Sequence, residues 1–210
     1  MSYIEKISYH LGERSEVPNQ VLARDLANMK NIEAIEEIHS YLFDKNKSIA
    51  SDCLKVLYEI GYIDPTLISI YLNDFIGLLN SKNNRMVWGS MIAIANISNV
   101  LPDNVYKTKD LIKHKIETGT TITQVWGIYA LVNTVSANQI YYGEFRDYLF
   151  KLQKECRPID FTKRAVTISQ VVVSDDLPEF IQILNEGLPK VSSSASKKLT
   201  RLIKKLESGK

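Results

Sequence analysis

The chain has 210 residues, of which 45% are apolar and 24% charged, with a net charge of +2 at pH 7. That composition excludes a disordered polyelectrolyte and suits one or two globular domains or one array of repeats. Ser90, Asn96 and Ser98 interrupt the most apolar stretch, so no run reaches the ~20 residues of a bilayer-crossing helix.

The first residues, MSYIEKISYHLGERSE, lack the apolar core of a secretory leader, and a cytoplasmic location is expected. Cys53 and Cys156 stand far apart and suggest buried small hydrophobes rather than a disulfide framework or a metal knuckle. Charge is uneven: residues 1–64 sum to −4 and residues 159–210 to +3.

Taken in order, Tyr3 to Leu11 predicts a short helix, and Pro18 suits the first turn of a second, with Val21, Leu22, Leu26 and Met29 inside. Asn31 can cap a helix carrying Ile35, Ile38, Leu42 and Phe43. Asn46 or Ser48 opens its partner, which Gly61 is expected to close in the C′ position. Asp64-Pro65 predicts a helix with a one-sided stripe of Ile68, Tyr71, Leu72, Phe75, Ile76 and Leu79. The helix after Asn83 is apolar nearly all round. Pro102 begins another, to about Thr118, and Gly119-Thr120 separates it from the helix of Trp126. Tyr141 to Leu152, Phe161 to Val172, Leu177 to Leu188 and Ala195 to Glu207 supply the rest, and no stretch alternates as a strand would.

Two of these helices are copies of one pattern. Trp88-Gly89, Ala93 and Asn96 recur as Trp126-Gly127, Ala130 and Asn133, with the tryptophans 38 positions apart; Pro65 and Pro102 are 37 apart. One-sided helices alternating with all-round apolar ones suit two layers, in which each hairpin hides its apolar face only against its neighbours. The expected fold is all-α: a single domain over residues 1–210, a right-handed α-solenoid of about six hairpins.

Pro65 to Leu79 followed by Asn84-Arg85-Met86-Val87-Trp88-Gly89 and Ala93-Ile94, with the weaker copy Val125-Trp126-Gly127 and Ala130-Leu131, resembles a HEAT repeat. The whole chain is similar to small stand-alone bacterial and archaeal HEAT-repeat proteins that have no assigned activity. Related families fit less well. The tetratricopeptide pattern is absent. Armadillo repeats place asparagine four residues after tryptophan, where this chain has Ile92 and Ala130. HEAT-like di-iron hydroxylases need repeated His-Glu pairs, and the histidines here precede Leu11, Ser40 and Lys115. HEAT-like DNA alkylation-repair glycosylases use concave-face aromatics with a carboxylate, and no acid lies within a turn of Trp88 or Trp126 on the same helix face.

The candidate binding residues follow from the two layers. Trp88 and Trp126 either stack a ligand or pack between repeats beside Gly89 and Gly127. Asn84, Arg85, Gln124, Lys163 and Arg164 open inner helices and are expected along one lip of a concave groove, where helix N-termini and guanidinium groups donate to carboxylate or phosphate. In the tail, Lys197, Lys198, Arg201, Lys204 and Lys205 flank an apolar stripe of Leu199, Leu202, Ile203 and Leu206, which gives either a capping helix or a basic surface. Glu36-x-x-His39 has half the spacing of a di-iron site, but no second copy exists. No nucleotide-, dinucleotide-, hydrolase- or zinc-protease signature occurs. The expectation is therefore a non-catalytic module without metal or cofactor, holding a protein segment in its groove. Nucleic-acid binding through the basic C-terminal half is the alternative.

Overall fold

Asparagine oxygens start three helices in the first two-thirds of the chain. Asn31 accepts the Ala34 N–H at 3.1 Å, Asn46 the Ser48 N–H at 3.0 Å, and Asn83 the Arg85 N–H at 3.0 Å. Each closes one of the unpaired donors that every helix leaves at its first turn. The computed structural model describes residues 2–209, and among them every regular element is helical. They divide into two compact units, one ending at Ala137 and the other beginning at Asn138.

The first unit contains α1 (Val17–Met29), α2 (Ile32–Ser40), α3 (Lys47–Ile63), α4 (Leu72–Leu78), α5 (Asn84–Ile97), α6 (Pro102–Tyr106), α7 (Lys109–Thr118) and α8 (Thr121–Ala137). Helix α1 packs on α3, α3 on α5 and α5 on α8, while α2, α4 and the α6–α7 pair each lie against a member of that row. The buried side chains explain the order. Helix α5 buries Met86, Val87, Met91, Ile92, Ala93, Ile94, Ala95 and Ile97, so it needs cover on several sides. Helix α2 buries only Ala34, Ile35 and Ile38, a single stripe. A fully buried leucine or isoleucine contributes about 1.5–3 kcal/mol, so the row of apolar helices dominates the unit's stability.

Close approach is secured by the repeated glycines. A Cβ on Gly89 would stand 2.7 Å from Leu54 Cδ2, and one on Gly127 2.5 Å from Ile116 Cγ1. The repeated asparagines join successive helices of the row. Asn96 Nδ2 donates to the Tyr58 carbonyl at 3.3 Å and Asn133 Nδ2 to the Ala95 carbonyl at 2.8 Å, each reaching 38 residues back.

The second unit holds α9 (Tyr142–Lys154), α10 (Pro158–Ile168), α11 (Leu177–Gly187) and α12 (Ser193–Glu207), with α9 and α12 both packed against α10 and α11. Phe145, Phe150, Phe161, Phe180, Leu184 and Leu199 fill its core. Arg146 draws α9 toward the start of α11: it bonds Asp176 at 2.8 Å, contacts Glu179, and lies 4.5 Å from the Phe150 ring centroid. Hydrogen bonds from Arg146 and the Tyr142 hydroxyl hold the Asp176 carboxyl below its ordinary range.

Several boundaries differ from the sequence expectation. Tyr3–Leu11 forms only a 3-10 turn at Ile4–Lys6 followed by further turns. The expected helix after Pro65 is two 3-10 turns and then α4, although Ile68, Tyr71, Leu72, Phe75 and Leu79 are all buried as the stripe requires. The Pro102 helix breaks at Lys107-Thr108. Gly61 does not end α3, which runs to Ile63; it lies inside the helix, where a Cβ would meet Ile68 Cδ1 at 2.7 Å. Among the described residues no helix is long and apolar enough to cross a membrane.

Candidate binding surface

Tyr58 and Tyr62 are four residues apart on α3, and Trp126 and Tyr129 three apart on α8, so each pair shares a helix face. Trp88 stands on α5 between them. Packing α3, α5 and α8 side by side joins these rings into one chain. Trp88 lies 6.1 Å from Tyr58, Tyr58 6.0 Å from Tyr62, Tyr62 5.6 Å from Trp126, and Trp126 5.2 Å from Tyr129, measured between centroids. None of the four contacts is a parallel stack; their interplanar angles run from 39° to 77°. Tyr58 is buried, Trp88, Trp126 and Tyr129 are half-buried, and Tyr62 is 46% exposed.

The tryptophans therefore pack against tyrosines while keeping an exposed edge. They do not fill the spaces beside the repeat glycines: Leu54 and Tyr58 sit at Gly89, and Ile116 and Met91 at Gly127.

Beside the rings the charges close on themselves. Lys55 is buried, with Glu59 at 2.6 Å, Glu16 at 3.1 Å, and the Tyr58 ring 4.8 Å below its ammonium. Burial alone would depress the Lys55 ammonium, but hydrogen bonds to Glu59, Tyr58 and Glu16 outweigh it and hold the group above the usual lysine range. Glu16 also takes Arg85 at 2.8 Å. Arg85 thus faces a polar cavity of about 350 Å³ lined by Glu13, Arg14, Glu16, Lys47, Asp52 and Asn83, as one member of a balanced set of charges.

Of the other residues expected on the groove lip, Asn84 is exposed at the first position of α5. Gln124 on α8 turns back to the Gly119 carbonyl at 3.3 Å. Lys163 and Arg164 belong to the second unit: Lys163 is exposed on α10, and Arg164 donates to the Leu152 carbonyl at 2.7 Å, fastening α10 to the end of α9. In α12, Leu199 and Ile203 are buried, while Lys197, Lys198, Arg201, Lys204 and Lys205 are all exposed. His39 bonds Asp74 at 2.9 Å and stacks on Tyr71 at 3.8 Å, joining α2 to α4, and Glu36 points to solvent.

Tyr58, Tyr62, Tyr129, Lys55 and Glu59 were not among the sequence candidates. The aromatic spacing along α3 and α8 was readable, but the contact between those helices was not.

No family model matches the chain. It is 33% identical over 84 residues to an uncharacterized protein of Methanocaldococcus jannaschii, a match covering 40% of each chain. The chain thus spans two-fifths of the length of that relative. Two engineered proteins with crystal structures are similar in fold. One has a TM-score of 0.65 at 16% identity, covering 100% of this chain and 98% of its own. The other has 0.62 at 15%, covering 97% and 58%. Those likenesses concern the fold alone.

Proposed function

We propose that this chain is a non-catalytic binding module whose first unit is built of HEAT-like helix pairs, and that the α3–α5–α8 face holds a segment of a partner protein. The half-exposed ring chain from Trp88 to Tyr129 carries this reading. Tryptophan and tyrosine give most binding energy per residue at protein interfaces, because they bury a large rigid area and keep a polar handle. The alternating layers and the glycine-lined close approaches support the HEAT-like assignment.

The test is affinity capture by the full chain against the Tyr62→Ala/Tyr129→Ala double variant. Proteins that depend on the rings should fall by at least about tenfold in retention while the circular-dichroism melt stays within a few degrees. Equal retention by both chains would remove the rings from the binding face.

Helix α12 favours a second reading, in which its exposed cations bind nucleic acid. The affinity for a short DNA duplex should then fall steeply with salt, and Lys198→Glu/Arg201→Glu should weaken it at low ionic strength. No retention of duplex or single strand at low salt rejects this reading.

A further inference from the structure

Resting on the ring chain as a peptide-binding face, we infer that its occupant is a proline-rich segment in the extended polyproline II conformation. Charge is the first reason. Helix α8 has no Asp, Glu, Lys or Arg in its 17 residues, and Arg85 is the sole charged residue of α5. Lys55, 4.8 Å from the Tyr58 ring, and Arg85, three residues before Trp88 on α5, are held by Glu16 and Glu59. A phosphate backbone gains little there, since its affinity comes from unneutralised Lys and Arg. An acidic or basic peptide meets no free countercharge either. The segment lying on the rings is therefore neutral.

Ring geometry is the second reason. Tyr62 and Trp126 meet at 47°, Trp126 and Tyr129 at 39°. Tilted, partly exposed rings leave wedges between them rather than one flat plate. A planar base stacks best on a flat face. A puckered pyrrolidine fills a wedge, which is how aromatic grooves take proline segments at low entropic cost.

Hydrogen bonding is the third. The indole N–H of Trp88 and Trp126 only donates, and the hydroxyls of Tyr62 and Tyr129 donate readily. Among the described residues none of these four groups bonds to another protein group. Burial raises the Tyr62 phenol, so it keeps its proton. A run of prolines has backbone carbonyls and no N–H, so it offers only acceptors. A row of donors meets a row of acceptors.

The experiment selects a random-peptide phage library on the immobilised full chain, then retests enriched clones on Trp126→Ala and Tyr62→Ala. Tyr62 is 46% exposed, so its truncation spares the core even where Trp126→Ala does not fold. The expected result is clones with prolines three apart that lose at least about tenfold in affinity on Tyr62→Ala. Clones without proline that still need the rings overturn the proline assignment and leave the binding face standing. Clones that bind both variants as well as the parent overturn both.

Discussion

Gly187→Val is expected to destabilise the second unit by about 3 kcal/mol, near the top of the usual cost of overpacking a core. Gly187 ends α11 with ordinary right-handed helical angles (φ −84°), so backbone freedom is not what requires glycine. Contact is. A Cβ there would lie 2.2–2.9 Å from three carbons of the Phe161 ring, and Phe161 is only 3% exposed. The ring cannot swing into solvent, and valine adds two methyl groups beyond a Cβ that already has no room. Urea unfolding followed by far-ultraviolet circular dichroism measures the loss. Phe161→Leu should be costly alone yet return part of the stability in the Gly187→Val background, because the two changes share one contact. Strict additivity of the two would mean that the clash is relieved elsewhere.

Asn133→Ala is expected to cost the first unit about 2 kcal/mol, the range for losing a part-buried hydrogen bond whose buried acceptor is left unpaired. The Ala95 carbonyl belongs to the last turn of α5, where carbonyls have no partner within the helix, and Ala95 is fully buried. The asparagine amide of α8 reaches it at 2.8 Å. Both tryptophans of the chain lie in the first unit, so their emission reports its unfolding without interference from the second. The urea midpoint by emission should fall, whereas Asn96→Ala should cost less because its bond to Tyr58 is longer at 3.3 Å. An unmoved midpoint in Asn133→Ala would show that water replaces the amide at no cost.

Sequence and structure agree best where the physics is local. Asn31 was legible as a cap, and Asn46 as one of two candidates beside Ser48, because an N-cap needs only its own side chain and the next turn; the cap from Asn83 emerges only in the structure. The apolar stripe from Ile68 to Leu79 was legible as a buried face, but not its division into 3-10 turns and a short helix, since burial and helix type are separate questions. Gly61 looks like a terminator in sequence but lies inside α3, because a glycine near a helix end has two uses and only the position of Ile68 shows which applies.

Long-range relations were hidden. Asn96 and Asn133 stood out as repeats, yet their carbonyl partners follow from the spacing between helices. Trp88 and Trp126 stood out too, while the tyrosines that connect them are on another helix or at another position of their own. Charge makes Arg85 and Arg164 candidates for the lip, and each is taken up by a partner the sequence does not reveal: Glu16 for one, the Leu152 carbonyl for the other.

The row of helices in the first unit has a kinetic corollary. Its two amide rungs close loops of 38 residues, and its main helix contacts, α1 with α3, α3 with α5 and α5 with α8, each skip only one or two helices. Little loop-closure entropy must be lost before contacts reward it, so relative contact order is low. Such a unit should refold quickly from whichever pair condenses first, and fray from its ends before its middle yields.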